Sequence, residues 1–170
     1  HAGVADAYTL LAFYGYARPN DVMPKARAAA ERALASDPDL AEAHSALGFI
    51  LHSYDWNIPA AQREFQRAIA LKPTYVPARY WSAGCFIALG RPNDAVAIDE
   101  EAVRIEPLSL MTNTHLGWML LWAGRAADAA RHLEHVLDLD SRFLMAHYLL
   151  GQAYLALGRN DEGLAELRTA

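Results

Sequence analysis

Two histidines, His132 and His135, bring this chain closest to the ligand spacing of a metal site. In His132-Leu133-Glu134-His135 they stand three residues apart, which on a helix brings both rings to one face and within reach of one cation. Hydrolytic zinc centres space their histidines differently and need a third ligand, for which the sequence offers no candidate. Two solvent-facing histidines on a surface helix are the expected outcome, and no metal is assigned. Cys85, the only cysteine, sits between Gly84 and Phe86. It reads as a small buried thiol, because nothing in the sequence places a cation or a helix N-terminus beside it. A single thiol also excludes an internal disulfide framework. Dinucleotide glycine patterns, phosphate loops and nucleophile elbows are missing from the sequence. No catalytic set converges, and no cofactor is expected.

Composition narrows the classes further. The 170 residues include 34 alanines and 23 leucines, with 54% apolar and 21% charged residues overall. That is too apolar for disorder, and its best-represented residues are good helix formers. Fifteen basic residues face twenty acidic ones, for a net charge of −5. The cations are scattered, as thirteen arginines plus Lys25 and Lys72, so no nucleic-acid partner is expected. The longest apolar run, residues 116–124, is far shorter than the ~20 residues needed to span a bilayer. The chain begins with His1 rather than Met and shows no signal peptide, which reads as an excised fragment with His1 a tag remnant. The cytoplasm is preferred to the periplasm.

The elements that position these side chains follow from a period. Leu89-Gly90-Arg91, Ala123-Gly124-Arg125 and Leu157-Gly158-Arg159 stand 34 residues apart, and 170 is five times 34. Pro38, Pro73 and Pro107 recur at 35 and 34, with Ser141 in the next slot. Small residues form one column, Ala5, Gly48, Ala83, Gly117 and Gly151; large apolar ones form another, Tyr8, Leu51, Phe86, Leu120 and Tyr154. Within each unit, apolar residues at three- and four-residue spacing predict two helices. A glycine able to take positive φ ends the first, and a proline stops the second. Such a hairpin cannot bury its apolar face alone, so several must stack.

These residues resemble the tetratricopeptide repeat (TPR) family, most clearly through Leu116-Gly117, Gly124, Ala129 and Leu133, and through Leu150-Gly151, Tyr154 and Gly158. The resemblance covers essentially the whole chain and implies an all-α right-handed superhelical solenoid of about five repeats. Their expected ranges are 1–38, 41–73, 76–107, 110–141 and 144–170, in a single domain. A narrower resemblance, through Tyr54-Asp55-Trp56 and Pro107-Leu108-Ser109, is to the arrays of bacterial signalling proteins joined to winged-helix, cyclase or kinase domains. No such effector domain is present in this sequence.

Departures from the pattern carry their own expectations. About nine extra residues between Tyr14 and Ala26 read as a longer first helix and a surface loop. Asp55-Trp56-Asn57 replaces the turn glycine of the second repeat. There Asn57 is placed to cap the next helix, Pro59 falls in its first turn, and Trp56 is expected to pack over the hairpin end. His1, His44 and His147 fall in a column where the family often has an aromatic, and read as aromatic substitutes with one nitrogen wet. Arg79 shares that column, and Asp99 replaces a large apolar residue. Either the two pair inside the hairpin or helix rotation exposes both.

In arrays of this family the first helices line a concave groove. Helical spacing assigns to that face Phe49 and His52, then Tyr80, Trp81 and Ile87, then Met111, His115, Trp118 and Trp122, then Met145, Tyr148 and Gln152. Either these aromatics pack between neighbouring helices, or they line an apolar peptide-binding groove rich in residue types favoured at binding hot spots. Exposure of Trp118 and Trp122 decides between the two. The expected function is a non-catalytic scaffold or sensor that binds a protein or peptide through an apolar or amphipathic segment. Self-association into a homo-oligomer is the alternative, since the sequence ends without a polar capping helix.

Overall fold

Turn residues divide the chain into helices. A computed structural model describes residues 2–170; His1, placed above in the aromatic column, lies outside the described residues. Ten helices and no strand are found among them: α1 (Ala2–Phe13), α2 (Pro19–Ser36), α3 (Ala41–Ser53), α4 (Ile58–Leu71), α5 (Val76–Ala88), α6 (Pro92–Ile105), α7 (Leu110–Trp122), α8 (Ala126–Leu139), α9 (Leu144–Ala156) and α10 (Asn160–Thr169). The fold is an all-α helical repeat. Two compact units divide it, one ending at Leu89 and the other running from Gly90 to Ala170.

In the first unit α1 pairs with α2 and α3 with α4, while α1, α3 and α5 lie side by side. In the second, α7 pairs with α8 and α9 with α10, and α7 lies beside α9. Close pairing depends on the small-residue column. A Cβ added at Gly48 would fall 2.8 Å from the Phe65 ring, one at Gly117 2.6 Å from Leu133 Cδ2, and one at Gly151 2.7 Å from Leu167 Cγ. Real Cβ atoms do not approach so closely, so each of these helix pairs is seated on the bare backbone of a glycine. Phe65 and Leu133, fully buried, fill the space those glycines leave.

Between the paired helices, Gly90, Gly124 and Gly158 take φ of +69°, +71° and +76°, the left-handed conformation that glycine adopts without strain. In the second repeat Trp56 holds that conformation instead, at φ +57°, and its side chain is 76% exposed. It does not pack over the hairpin end as the sequence suggested. Asn57 does cap α4, its side-chain oxygen accepting from the Ala60 N–H at 3.2 Å. The extra residues of the first repeat are also placed differently from the expectation. They do not lengthen α1; they extend α2 to 18 residues, against 14 for α4, α6 and α8. Pro19 opens that helix, and its added turn buries Val22 and Met23, which a surface loop would have left in water.

Candidate functional site

Helical geometry distributes the sequence-assigned residues over two faces, one in each unit. On α7 the leucines and the exposed aromatics occupy different sides. Leu116 and Leu120 are buried inside the helix pair, whereas Met111, Trp118 and Trp122 are 47%, 38% and 58% exposed. Residues 111, 115, 118 and 122 follow one another at four-, three- and four-residue steps, so they form one stripe along the helix. His115 is half-buried within it, its ring edge-on to Trp118 at 5.7 Å between centroids. On α9, Met145 and Tyr148 are exposed and Gln152 is half-buried. The reading that buries Trp118 and Trp122 between helices therefore fails.

His115 reaches inward as well. Its Nδ1 lies 2.5 Å from Oδ2 of Asp99, a fully buried carboxylate of α6 whose other oxygen has no hydrogen-bond partner among the described residues. Burial raises the pKa of Asp99, with the His115 hydrogen bond and charge pulling it back. Of the alternatives offered for Asp99 from sequence, exposure fails, since the carboxylate is buried and its Oδ2 meets His115. Arg79 is buried as well and donates to the Pro73 carbonyl.

The first unit arranges its aromatics as a cluster. Phe49, only 4% exposed, stacks edge-on against Trp81 at 4.7 Å, and Trp81 also meets Tyr80 at 4.9 Å and Phe13 at 5.0 Å. His52 lies against Gly84, where an added Cβ would come 3.1 Å from its ring, and burial lowers its pKa. Phe13 and Tyr14, half exposed at the end of α1, belong to this surface but were not assigned to it from sequence. The period places them where the first repeat departs from the others, so no column marked them. A cavity of about 160 Å³ opens beside the cluster, lined by Asp6, Thr9, Ser45, Phe49, Tyr75, Tyr80 and Trp81 among others.

The polar members of the aromatic column share one role. His44 Nε2, Arg79 Nη1, Asn113 Nδ2 and His147 Nε2 all donate to a carbonyl six residues back, those of Pro38, Pro73, Pro107 and Ser141. The other nitrogen of His44 meets Glu64, and that of His147 meets Glu166. These two histidines are hydrogen-bonded through both nitrogens, so neither substitutes for an aromatic with one nitrogen left to water.

The two histidines of the opening motif differ in exposure. His135 is exposed, but His132 is half-buried with Nε2 enclosed, and burial together with the His135 charge lowers its pKa. The expectation that both face solvent thus fails at His132. Among the described residues no group of three or more His, Cys, Asp or Glu side chains is placed to hold a metal ion. Cys85 is buried, and burial pushes its thiol up to about 12, far from a reactive thiolate. No helix among the described residues is long and apolar enough to cross a membrane.

Comparison with known proteins agrees with this architecture. The family model for the tetratricopeptide repeat matches residues 57–109 and 120–170. No curated protein matches the sequence significantly. Among solved structures, a thermophilic TPR protein of Thermus thermophilus is 21% identical and superposes with a TM-score of 0.75 over 95% of this chain and 87% of its own. PilF of Pseudomonas aeruginosa is 20% identical, with a TM-score of 0.75 over 98% of this chain and 75% of its own. YrrB, a TPR protein with an unusual peptide-binding site, is 19% identical, with a TM-score of 0.64 over 98% and 82%.

Proposed function

This chain belongs to the tetratricopeptide repeat family, and from that premise we propose that it is a non-catalytic binding module whose first helices hold an apolar or amphipathic segment of a partner protein. The observation that carries the reading is the division of labour on α7. Leu116 and Leu120 already supply the packing, and Trp118 and Trp122 are left in solvent on a separate stripe. Exposed tryptophans on a rigid element are costly to hydrate and are the residues most enriched at binding hot spots. Met111, Met145 and Tyr148 extend that surface with adaptable and amphipathic contacts. Phe49, His52, Tyr80, Trp81, His115 and Gln152 complete the set of binding residues in this reading. The likeness of Tyr54-Asp55-Trp56 to signalling arrays supports a sensor or scaffold role within a bacterial regulatory protein.

Panning a displayed random-peptide library on the immobilised chain tests the proposal. Enriched peptides with an apolar helical or extended pattern, losing at least about tenfold in affinity against a W118A/W122A variant of unchanged helix content, support it. Enrichment that survives the double substitution, or no enrichment at all, refutes it. Exposed Leu157 and Leu164, at 41% and 47%, favour self-association as the second reading. Concentration-dependent sedimentation of the peptide-free chain would support that one.

A further inference from the structure

The cavity of the first unit differs in kind from the stripe on α7, because a carboxylate stands in it. Asp6 of α1 shares the wall with Thr9 and Leu10 of the same helix, Ser45, Ala46 and Phe49 of α3, and Tyr75, Pro77, Tyr80 and Trp81 at the start of α5. Among the described residues, no hydrogen bond or ion pair reaches the Asp6 carboxylate. Lys72, whose ammonium sits 5.4 Å over the Tyr75 ring, is committed elsewhere: its Nζ lies 2.6 Å from Glu42 Oε1. Ser45 and Thr9 are buried, and the Thr9 hydroxyl spends its proton on the Asp6 carbonyl at 2.8 Å. Its oxygen lone pairs are thus left as acceptors facing the cavity. Tyr75, Tyr80, Trp81 and Phe49 supply aromatic walls.

We propose that this cavity is a recognition pocket for a primary ammonium, filled by a lysine side chain of the partner segment. Three features select that chemistry. An uncompensated carboxylate in a half-buried site demands a cation. Aromatic walls attract cations and accept the methylene stem that precedes the charge. Hydroxyl acceptors reward N–H donors, which a primary ammonium has and a quaternary one lacks. About 160 Å³ suits the slim tail of a lysine.

The electrostatics of Asp6 favour a cation beside it. Burial, with the Glu42 charge second, pushes Asp6 up to about 6. Glu42, by contrast, is lowered by its hydrogen bond to Lys72, so that pair is already neutralised. Burial likewise raises the Tyr75 phenol, which stays neutral. Asp6 is the group left to titrate, and a bound ammonium would draw its pKa back down.

The source of the ammonium rests on the peptide-binding reading; the chemistry of the pocket does not. The test uses a W56F/W118F/W122F background, in which Trp81 is the only fluorophore of its kind. That protein is titrated at constant ionic strength with n-butylammonium, n-butyltrimethylammonium, n-butanol and N-acetyl-lysine methylamide. Butylammonium and the lysine amide should quench Trp81 saturably, at least about tenfold more tightly than the other two. D6N should abolish that preference, and in the unsubstituted pocket it should fade as pH falls through about 6. Equal binding of butanol, indifference to D6N, or a preference unchanged at pH 5 would overturn the proposal; the pH arm needs no substitution of Asp6. Binding of butylammonium but not the lysine amide would refute a side chain as the source. Loss of ammonium binding while displayed peptides are still captured through Trp118 and Trp122 refutes this inference alone. Ammonium binding without any captured peptide refutes the proposed function instead.

Discussion

His147 and Glu166 join α9 to α10: the imidazole Nδ1 donates to the glutamate carboxylate while Nε2 donates to the Ser141 carbonyl. Both nitrogens can donate only in the imidazolium form. Burial opposes that charge, but the Glu166 and Ser141 hydrogen bonds outweigh it, and the pKa is raised above 6.5. A histidine raised in the native state stabilises fully below its unfolded pKa and loses that contribution as pH rises through the native value. Melting temperature should therefore be higher at pH 5.5 than at pH 8.5. In H147Q that difference should shrink, as followed by circular dichroism.

Glycine at position 117 is a packing requirement. An alanine Cβ there would meet Leu133 Cγ at 2.7 Å, and Leu133, fully buried, has nowhere to move. G117A should cost about 1–3 kcal/mol in urea unfolding, as overpacking does. Adding L133A should recover part of the G117A cost, a non-additivity that a double-mutant cycle measures directly.

Two aromatics of the binding set should respond oppositely to truncation. Phe49 is 4% exposed, so F49A should destabilise by about 3–5 kcal/mol. Trp122 is 58% exposed, so W122A should cost less than about 1 kcal/mol and be felt in partner binding instead. Thermal melts of the two variants settle the comparison.

Trp56 stands where the other helix pairs have glycine, at φ +57°. A bulky side chain in that conformation carries a cost of about 1–2 kcal/mol, and its exposure leaves little packing to lose. W56G should raise the unfolding midpoint. Retention of Trp56 against that gain would point to a contact made by its exposed ring.

Asp6 weakens the fold in the same direction of pH as His147 but in a lower window. Its native pKa of about 6 exceeds the unfolded 3.8, so the fold is relieved of the penalty at low pH and bears it as pH rises through 6. D6N should stabilise the ligand-free chain by about 1 kcal/mol at pH 7.5 once solvent screening is allowed for, and not at all at pH 3.5. Guanidinium unfolding at the two pH values makes the test.

Much of the fold was legible because its determinants are local. Glycines that end helices, prolines that start or stop them and alanines at crossings act through their own backbone, so a 34-residue period displays them in columns. The exception proves instructive at α2, where Val22 and Met23 turned an apparent loop into an extra helical turn because burial outweighed the turn-like composition around them. The candidate site was legible only in part. Helical spacing separated Trp118 and Trp122 from the leucines beside them, but it could not show that Phe49 lies under Trp81. Nor could it show that Asp6 faces a cavity, because that depends on how α1 meets α5. The bonds from His44, Arg79, Asn113 and His147 were hidden for a further reason: hydrogen bonds six residues apart across a turn have no periodic signature.

Those four bonds also bear on how the chain reaches its fold. Each closes a loop of only six residues, for which the entropy of closure is small and the time to contact is short. Each also fastens a helix to the turn made just before it, so contact order stays low. A chain leaving the ribosome can thus secure a new hairpin's first helix to the turn already made without waiting for anything still to be synthesised.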